Sequence, residues 1–586
     1  MNILLTAINA KYIHSNLAVY SLRACAGEYR DAVELAEYTI NNQKDYILEE
    51  LYKRKPDVLC FSCYIWNIDY VTDIAREYKK LCPSVPIWVG GPEVSYEVEA
   101  FLRENPYIDG VMIGEGEDTF RELCGYYAHK RKLSDIAGIA FRKNSTDGKA
   151  DEIVFTSPRP IKNMSEIPFC YDTLDDFSNR IIYYESSRGC PFSCSYCLSS
   201  VDKTLRFRDT EIVKRELKFF IDQKVPQIKF VDRTFNCNHA HAMELWRFIK
   251  ANDNGVTNFH FEISADLLNQ EELELISDMR PGLIQLEIGV QSTNEVTIKE
   301  IHRTMKLERL KEVVRLIQSG NNIHEHLDLI AGLPYENYDS FGRSFDEIYE
   351  LKPNQLQLGF LKVLKGSYMF EHAAEYGIVY HDKPPYEVMS TKWLSFDDVI
   401  KIKRVEEMLE VYYNSGQFEI TMKLMECIFD SAFEFFQELG DFYEANGYFG
   451  MSHSRIRRCE ILLEFLALYL HGCDSDDTDF DENAQLYNMI QESLIFDLYY
   501  RENCKSRPVW ATDIGSFKHM THAYCKNGKL SHVEPFHYIF PDKHTRKLDE
   551  LPKYHKESVW ALFHYDMRDP LDHQAMVEYV DRSKAI

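Results

Sequence analysis

Twice along this chain, short apolar runs alternate with amphipathic helical patterns, and no other feature narrows the possible folds as far. In the first series the apolar runs are Asn2 to Ala7, Val33 to Thr39, Val58 to Tyr64, Ile87 to Gly90 and Gly110 to Ile113. Helical patterns fall between them at Ser15 to Gly27, Gln43 to Arg54, Ile68 to Leu81 and Tyr96 to Asn105. Such alternation predicts an α/β domain over residues 1–135, a parallel sheet with helices on both faces. Ligands of such sheets bind beyond the carboxyl ends of the strands. The loops there are Asn9 to Asn16, Cys63 to Asn67, Gly90 to Ser95 and Gly114 to Asp118. Two of them are glycine turns, Gly90-Gly91-Pro92-Glu93 and Gly114-Glu115-Gly116-Glu117, where the missing side chain admits a bulky neighbour. Cys60 and Cys63 read as core, because residues three apart on a strand point to opposite faces.

Residues 136–174, polar and proline-bearing, read as a linker, and the rhythm then resumes over 175–370. Six strands are predicted: Ile181 to Ser186, Ile228 to Asp232, His260 to Ser264, Ile284 to Val290, Glu325 to Ile330 and Gln355 to Leu361. Helices fit between them at Thr210 to Gln223, Ala240 to Ala251, Asn269 to Met279 and Leu307 to Ser319. Beyond residue 370 the pattern turns mainly helical over 371–586, with a histidine-bearing tail that includes His519, His522, His532, His537 and His544. Those histidines lack recurrent ligand spacing and read as packing or surface residues.

Just after the apolar stretch Ile181 to Tyr184 stand Cys190, Cys194 and Cys197. A Cys-x3-Cys-x2-Cys loop leaving a strand suits three irons of a cubic [4Fe–4S] cluster, with the fourth iron open for chemistry. Zinc sites favour four ligands in paired Cys-x2-4-Cys spacing, and the nearest spare candidates, Cys237 and His239, follow a different strand.

The cysteine spacing, with Tyr196 before the last cysteine, resembles the signature of the radical SAM superfamily. In that family the open iron chelates S-adenosylmethionine, and the reduced cluster cleaves it to a 5′-deoxyadenosyl radical. The six repeats resemble its partial (β/α)6 barrel of TIM type, so that active residues belong at the carboxyl ends. The resemblance implies cofactor contacts at Asp232 for the methionine amine, at Glu287 and Gln291 on the fourth strand, at Arg303 for the carboxylate, and at the turn around Gly332; Glu262 joins them as an acid in an otherwise apolar strand, where an ionised group needs a partner. Asp232 is equally readable as a helix cap or a salt-bridge partner of Arg233, and Arg303 as a surface residue. Placed upstream of such a loop, the first domain resembles the Rossmann-like (flavodoxin-like) cobalamin-binding domain of the cobalamin-dependent radical SAM group. Asn9, Gly90, Gly91, Gly114 and Glu115 are the contacts it implies. The Asp-x-His-x-x-Gly loop of one branch of cobalamin proteins is missing, and His14 stands in a different context. The last third resembles the C-terminal extension of a subfamily of unassigned reaction.

The implied function is a cobalamin-dependent radical SAM enzyme, acting by methyl transfer or rearrangement on a small-molecule or otherwise unknown substrate. A reducing protein such as flavodoxin or ferredoxin is the expected electron source. Alternatives are a tRNA methylthiotransferase-like enzyme and a non-catalytic cobalamin sensor with a structural cluster. The formal charge of −26 argues against a broad electrostatic grip on nucleic acid. No apolar stretch approaches the roughly 20 residues of a membrane span, and fifteen scattered cysteines suit a reducing cytoplasm.

Overall fold

The computed structural model describes residues 1–143, 152–177, 179–201, 203–472, 479–515, 524–525, 531–541, 545, 548 and 550–580. They form two compact units. The first comprises Met1–Ile288, Ile298–Leu310 and Phe360–Lys392, and the second Gly289–Thr297, Lys311–Gly359 and Trp393–Ile586.

In the first unit a seven-stranded sheet has the spatial order Val33–Thr39, Ile3–Asn9, Val58–Ser62, Ile87–Gly90, Gly110–Met112, Ile139–Lys143, Glu152–Phe155. The first five strands are parallel, in the flavodoxin-like order 2-1-3-4-5. All seven residues of Ile3–Asn9 are buried, as a central strand covered on both faces requires. Helix Ile68–Leu81 buries Val71, Ile74, Ala75 and Tyr78 on one stripe, with its charged residues on the other. The expected linker 136–174 needs correction, because Ile139–Lys143 and Glu152–Phe155 extend this sheet in antiparallel fashion. Its polar sequence belongs to an edge, where one face meets water and charges discourage further pairing.

All six strands of the second series are present: Ile182–Tyr184, Gln227–Phe230, Asn258–Ile263, Ile284–Gln291, His324–Ala331 and Gln355–Phe360. The first four pair in parallel, in chain order. Their helices start where local chemistry dictates. Asp209 accepts from the backbone of Glu211 and Ile212 to cap Thr210–Asp222, and Asn269 with Glu272 forms a capping box on Gln270–Ser277. Ile228, Phe230, Phe259, Phe261, Leu286 and Ile288 are fully buried. Alternating with them, the opposite face of these strands carries Tyr183, Lys229, His260, Glu262, Gln285 and Glu287. A barrel interior packed only for stability would be filled by branched apolar side chains. This one is polar.

Residues 371–392 pack with the first unit. Tyr376 Oη donates to Glu300 at 2.8 Å, and Tyr386 Oη donates to Glu93. The second unit contains helices Phe396–Leu409, Glu419–Ile428, Ala432–Ala445, Arg455–Gly472 and Asp479–Arg501. The tail adds a three-stranded antiparallel sheet, Ser531–Tyr538, Tyr554–Arg568 and Ala575–Val580, which its histidines had masked. His532 and His537 lie against single carboxylates, Glu534 at 2.6 Å and Glu492 at 2.7 Å. His519, His522 and His544 lie outside the described residues.

Candidate functional site

The cysteine loop leaves strand Ile182–Tyr184 through Ser186 and Ser187, and its entry is fixed by Asp232. That carboxylate accepts from Ser186 N at 2.9 Å and from the hydroxyls of Ser186 and Ser187, both at 2.6 Å. It has no exposed surface, and burial pushes its pKa up to about 6 against those hydrogen bonds. Asp232 therefore anchors the loop, and its partners are neither a helix end nor Arg233. Gly189 has φ +88°, and a Cβ there would lie 2.5 Å from the Thr204 carbonyl, so only glycine fits before Cys190.

Cys190 and Cys194 are buried and Cys197 is half-buried; all three are free thiols. Cys190 Sγ lies 3.6 Å from Thr234 Oγ1. The loop is stitched to the chain on two further sides: Ser195 N donates to the Ile301 carbonyl at 2.9 Å, and Met369 N to the Ser195 carbonyl at 2.9 Å. Arg303 Nη1 donates to Tyr196 Oη at 3.2 Å and approaches Cys194 Sγ at 3.8 Å. The resemblance had placed Arg303 on a carboxylate; the structure brings it to the cysteine loop. Burial pushes the Cys194 thiol up, and the Arg303 guanidinium works against that. Three thiols on one rigid loop beside a guanidinium fit a cluster whose ligands must be thiolates.

Glu287 and Glu262 are register neighbours on the polar face. Glu287 Oε2 lies 2.8 Å from Lys229 Nζ and 2.9 Å from His260 Nε2. Burial alone would raise the Glu287 pKa, but His260 and Lys229 hold it far below the usual carboxylate range. Its charge is paired, as a buried acid demands. Tyr183 on the first strand shares a 2.7 Å hydrogen bond with His14 Nδ1 from the first domain's loop.

In the second unit Gln291 has φ +76° and is almost wholly buried, and its Oε1 has no hydrogen-bond partner. An orphaned acceptor at a strand's carboxyl end fits a ligand bearing donors, as S-adenosylmethionine does. Gly332, with φ +88°, turns the chain immediately after His324–Ala331.

At the carboxyl edge of the first sheet is a cleft of about 590 Å³ within the first unit, lined in part by Gly90, Gly91, Gly114, Glu115, Tyr64 and Arg188. The two glycine turns do different work. A Cβ on Gly91 would sit 2.4 Å from the Cys63 carbonyl, so this glycine serves packing, whereas a Cβ on Gly114 would meet nothing within 4 Å. Gly114 thus offers the open cradle a bulky ligand such as cobalamin needs. Asn9 does not line the cleft: it donates to Glu37 Oε1 at 2.9 Å and to the His14 carbonyl at 3.1 Å, fastening its own loop. Glu115 is held by Arg206 at 2.5 Å and Arg188 at 3.5 Å.

Sequence reasoning missed Arg188. Its guanidinium joins Glu185 at 2.9 Å, Glu117 at 2.5 Å and Glu115 at 3.5 Å, tying the Gly114–Glu117 turn to the residue two before Cys190. Burial opposes its charge, but Glu185 and Glu117 hold its pKa above the ordinary value. The signal was present as an arginine amid an acid-bearing glycine turn and Glu185, but nothing local pairs residues 71 positions apart.

Comparison with known proteins agrees with this geometry. Residues 3–124 match the family model for the B12 binding domain, 184–348 that of the Radical SAM superfamily, and 374–578 a family described as protein of unknown function (DUF4080). The 2-(S-pantetheinyl)-carbapenam-3-carboxylate methyltransferase of Streptantibioticus cattleyicolor is 27% identical over 312 residues, 50% of this chain and 45% of that protein. The cobalamin-dependent radical SAM methyltransferase TokK of Streptomyces tokunonensis is 27% identical over 350 residues, 56% of this chain and 49% of its own. The matches thus span about half the length of these curated relatives. Among solved structures, OxsB, a cobalamin-dependent S-adenosylmethionine radical enzyme, superposes with a TM-score of 0.58 at 15% identity, covering 85% of this chain and 80% of its own. That likeness is one of fold.

Proposed function

We propose that this chain, in which a B12-binding domain precedes a radical SAM domain, is a cobalamin-dependent radical SAM enzyme that transfers a methyl group to a small-molecule substrate. The observation that carries the reading is the rigid Cys190, Cys194 and Cys197 loop tied through Arg188 to a glycine turn with open space before it. When bound, a [4Fe–4S] cluster supplies the electron that cleaves S-adenosylmethionine, and cobalamin supplies a carrier for methyl.

The chain's own residues bind and orient. Cys190, Cys194 and Cys197 are the three iron ligands, and Asp232 with Ser186 and Ser187 sets the angle at which their loop leaves the strand. Gly114 leaves room for the corrin. The polar face of Tyr183, Lys229, His260 and Glu287 orients the substrate by hydrogen bonds and excludes loosely held water. A flavodoxin- or ferredoxin-like reductant, met in the cytoplasm, delivers the electron. Among the described residues no helix is long and apolar enough to cross a membrane.

The test is anaerobic. The chain is reconstituted with iron and sulfide, incubated with cobalamin, desalted, reduced and given S-adenosylmethionine. A corrin band that survives desalting and production of 5′-deoxyadenosine or S-adenosylhomocysteine are expected. Cys194→Ala should lose the iron–sulfur absorption and all cleavage; a variant that keeps both would sink the ligand assignment. A cluster-loaded chain inert toward S-adenosylmethionine under every reductant would overturn the enzyme reading.

A further inference from the structure

The three thiols of the cysteine loop have unequal surroundings. Cys190 Sγ has a neutral neighbour, Thr234 Oγ1 at 3.6 Å, and that hydroxyl also donates to the Arg233 carbonyl at 2.8 Å. Cys197 is the most open of the three to water. Cys194 is buried and has a positive charge beside its sulfur: Arg303 Nη1 is 3.8 Å from Sγ and donates to Tyr196 Oη at 3.2 Å.

The backbone places that guanidinium. Arg303 N donates to the Ile298 carbonyl at 3.1 Å and His302 N to the Lys299 carbonyl at 3.1 Å, closing a turn in which His302 takes φ +54°. In the same turn the Ile301 carbonyl accepts from Ser195 N at 2.9 Å, so turn and loop are joined one residue from Cys194. Burial opposes the Arg303 charge, and Tyr196 and Cys194 are the groups that hold it. The side chain is half-buried, so salt screens it only in part.

A guanidinium is not deprotonated in proteins, so the charge beside Cys194 is constant. An iron–sulfur cluster that accepts one electron gains one negative charge, shared with its sulfur ligands. A fixed cation beside one of those sulfurs therefore stabilises the reduced form more than the oxidised one. Net charge and hydrogen bonds to the sulfurs are among the means by which a protein sets such a potential. On the reading that Cys190, Cys194 and Cys197 hold a [4Fe–4S] cluster, we propose that Arg303 raises the reduction potential of that cluster, acting through Cys194. One electron passes from a one-electron reductant protein to the cluster, and no proton moves with it, because Arg303 is protonated before and after.

The experiment is a redox titration of the full chain, reconstituted anaerobically with iron and sulfide and followed by electron paramagnetic resonance without S-adenosylmethionine. Arg303→Gln should make the cluster about tenfold harder to reduce, a fall of about 59 mV in midpoint potential for one electron. Arg303→Lys keeps a charge and should fall about half as far or less. A purely structural Arg303 would alter iron uptake or stability and leave the potential of the loaded protein where it was. If Arg303→Gln takes up no cluster, the wild-type chain with isotopic nitrogen in its arginines answers instead: pulsed resonance on the reduced cluster should show a weakly coupled arginine nitrogen. An unmoved potential in loaded Arg303→Gln, an equal fall in Arg303→Lys, or no arginine nitrogen near the reduced cluster would each overturn the assignment. An unmoved potential joined to weaker S-adenosylmethionine binding would return Arg303 to the carboxylate. Failure of the reading beneath it looks different, because the wild-type chain itself would then take up no reducible cluster.

Discussion

Gly91 and Gly114 both have positive φ and both follow strands of the first sheet, yet their surroundings predict opposite phenotypes. Gly91→Ala drives a methyl into the Cys63 carbonyl and should lower unfolding stability by about 2 kcal/mol or more, read by chemical denaturation. Gly114→Ala meets no atoms and should cost only about 1 kcal/mol, the price of a left-handed backbone. It should instead reduce the corrin band retained after desalting. A Gly114 variant that unfolds like the Gly91 variant while retaining full corrin would count against the cradle. The sequence marked both turns as close approaches, but which glycine faces protein and which faces open space depends on Cys63 and on nothing local. Asp232 shows the same limit. Its position after a strand was legible; its partners Ser186 and Ser187, some 45 residues earlier, were not.

Elements are legible where periodicity is strong. The five parallel strands of the first sheet and the six of the second follow from buried apolar residues, continuous or alternating, with helical patterns between them, whereas Ile139–Lys143, Glu152–Phe155 and the tail strands have no such helical rhythm to mark them. Edges and small sheets need only one apolar face, so their pattern is faint. Helix ends depend on partners still farther away. Glu419–Ile428 has no side-chain cap from Phe418; Asp497 supplies it instead, accepting from Ile420 N and Thr421 N, both at 2.9 Å. Asp497→Ala should destabilise the chain by about 2 kcal/mol. Burial raises the Asp497 pKa to about 6 against those bonds, so the folded chain holds this proton more tightly than the unfolded one. The contribution is complete below the ordinary carboxylate pKa of about 4 and declines as pH rises through about 6. The stability advantage of wild type over the variant should therefore be larger at pH about 5 than at pH about 7.5, by denaturant titration at both. An advantage that grows with pH would show that the carboxyl is ionised more readily in the folded state.

For the whole molecule, the site is assembled by contacts that cross its domains. Arg188 draws Glu115 and Glu117 of the first domain onto Glu185 of the barrel. Its loss leaves Glu117, a nearly buried carboxylate, without its partner, so Arg188→Gln should cost about 3 kcal/mol and lower the melting temperature with little dependence on salt. A variant whose loss disappears in high salt would make the cluster a surface feature. The cysteine loop has the complementary property. Asp232, the Ile301 carbonyl and Met369 N hold it by hydrogen bonds from the chain itself. Its entry and its Ser195 are therefore held by bonds that do not depend on iron. If oxygen strips the metal and spares the thiols, those bonds leave a loop that fresh iron and sulfide can refill.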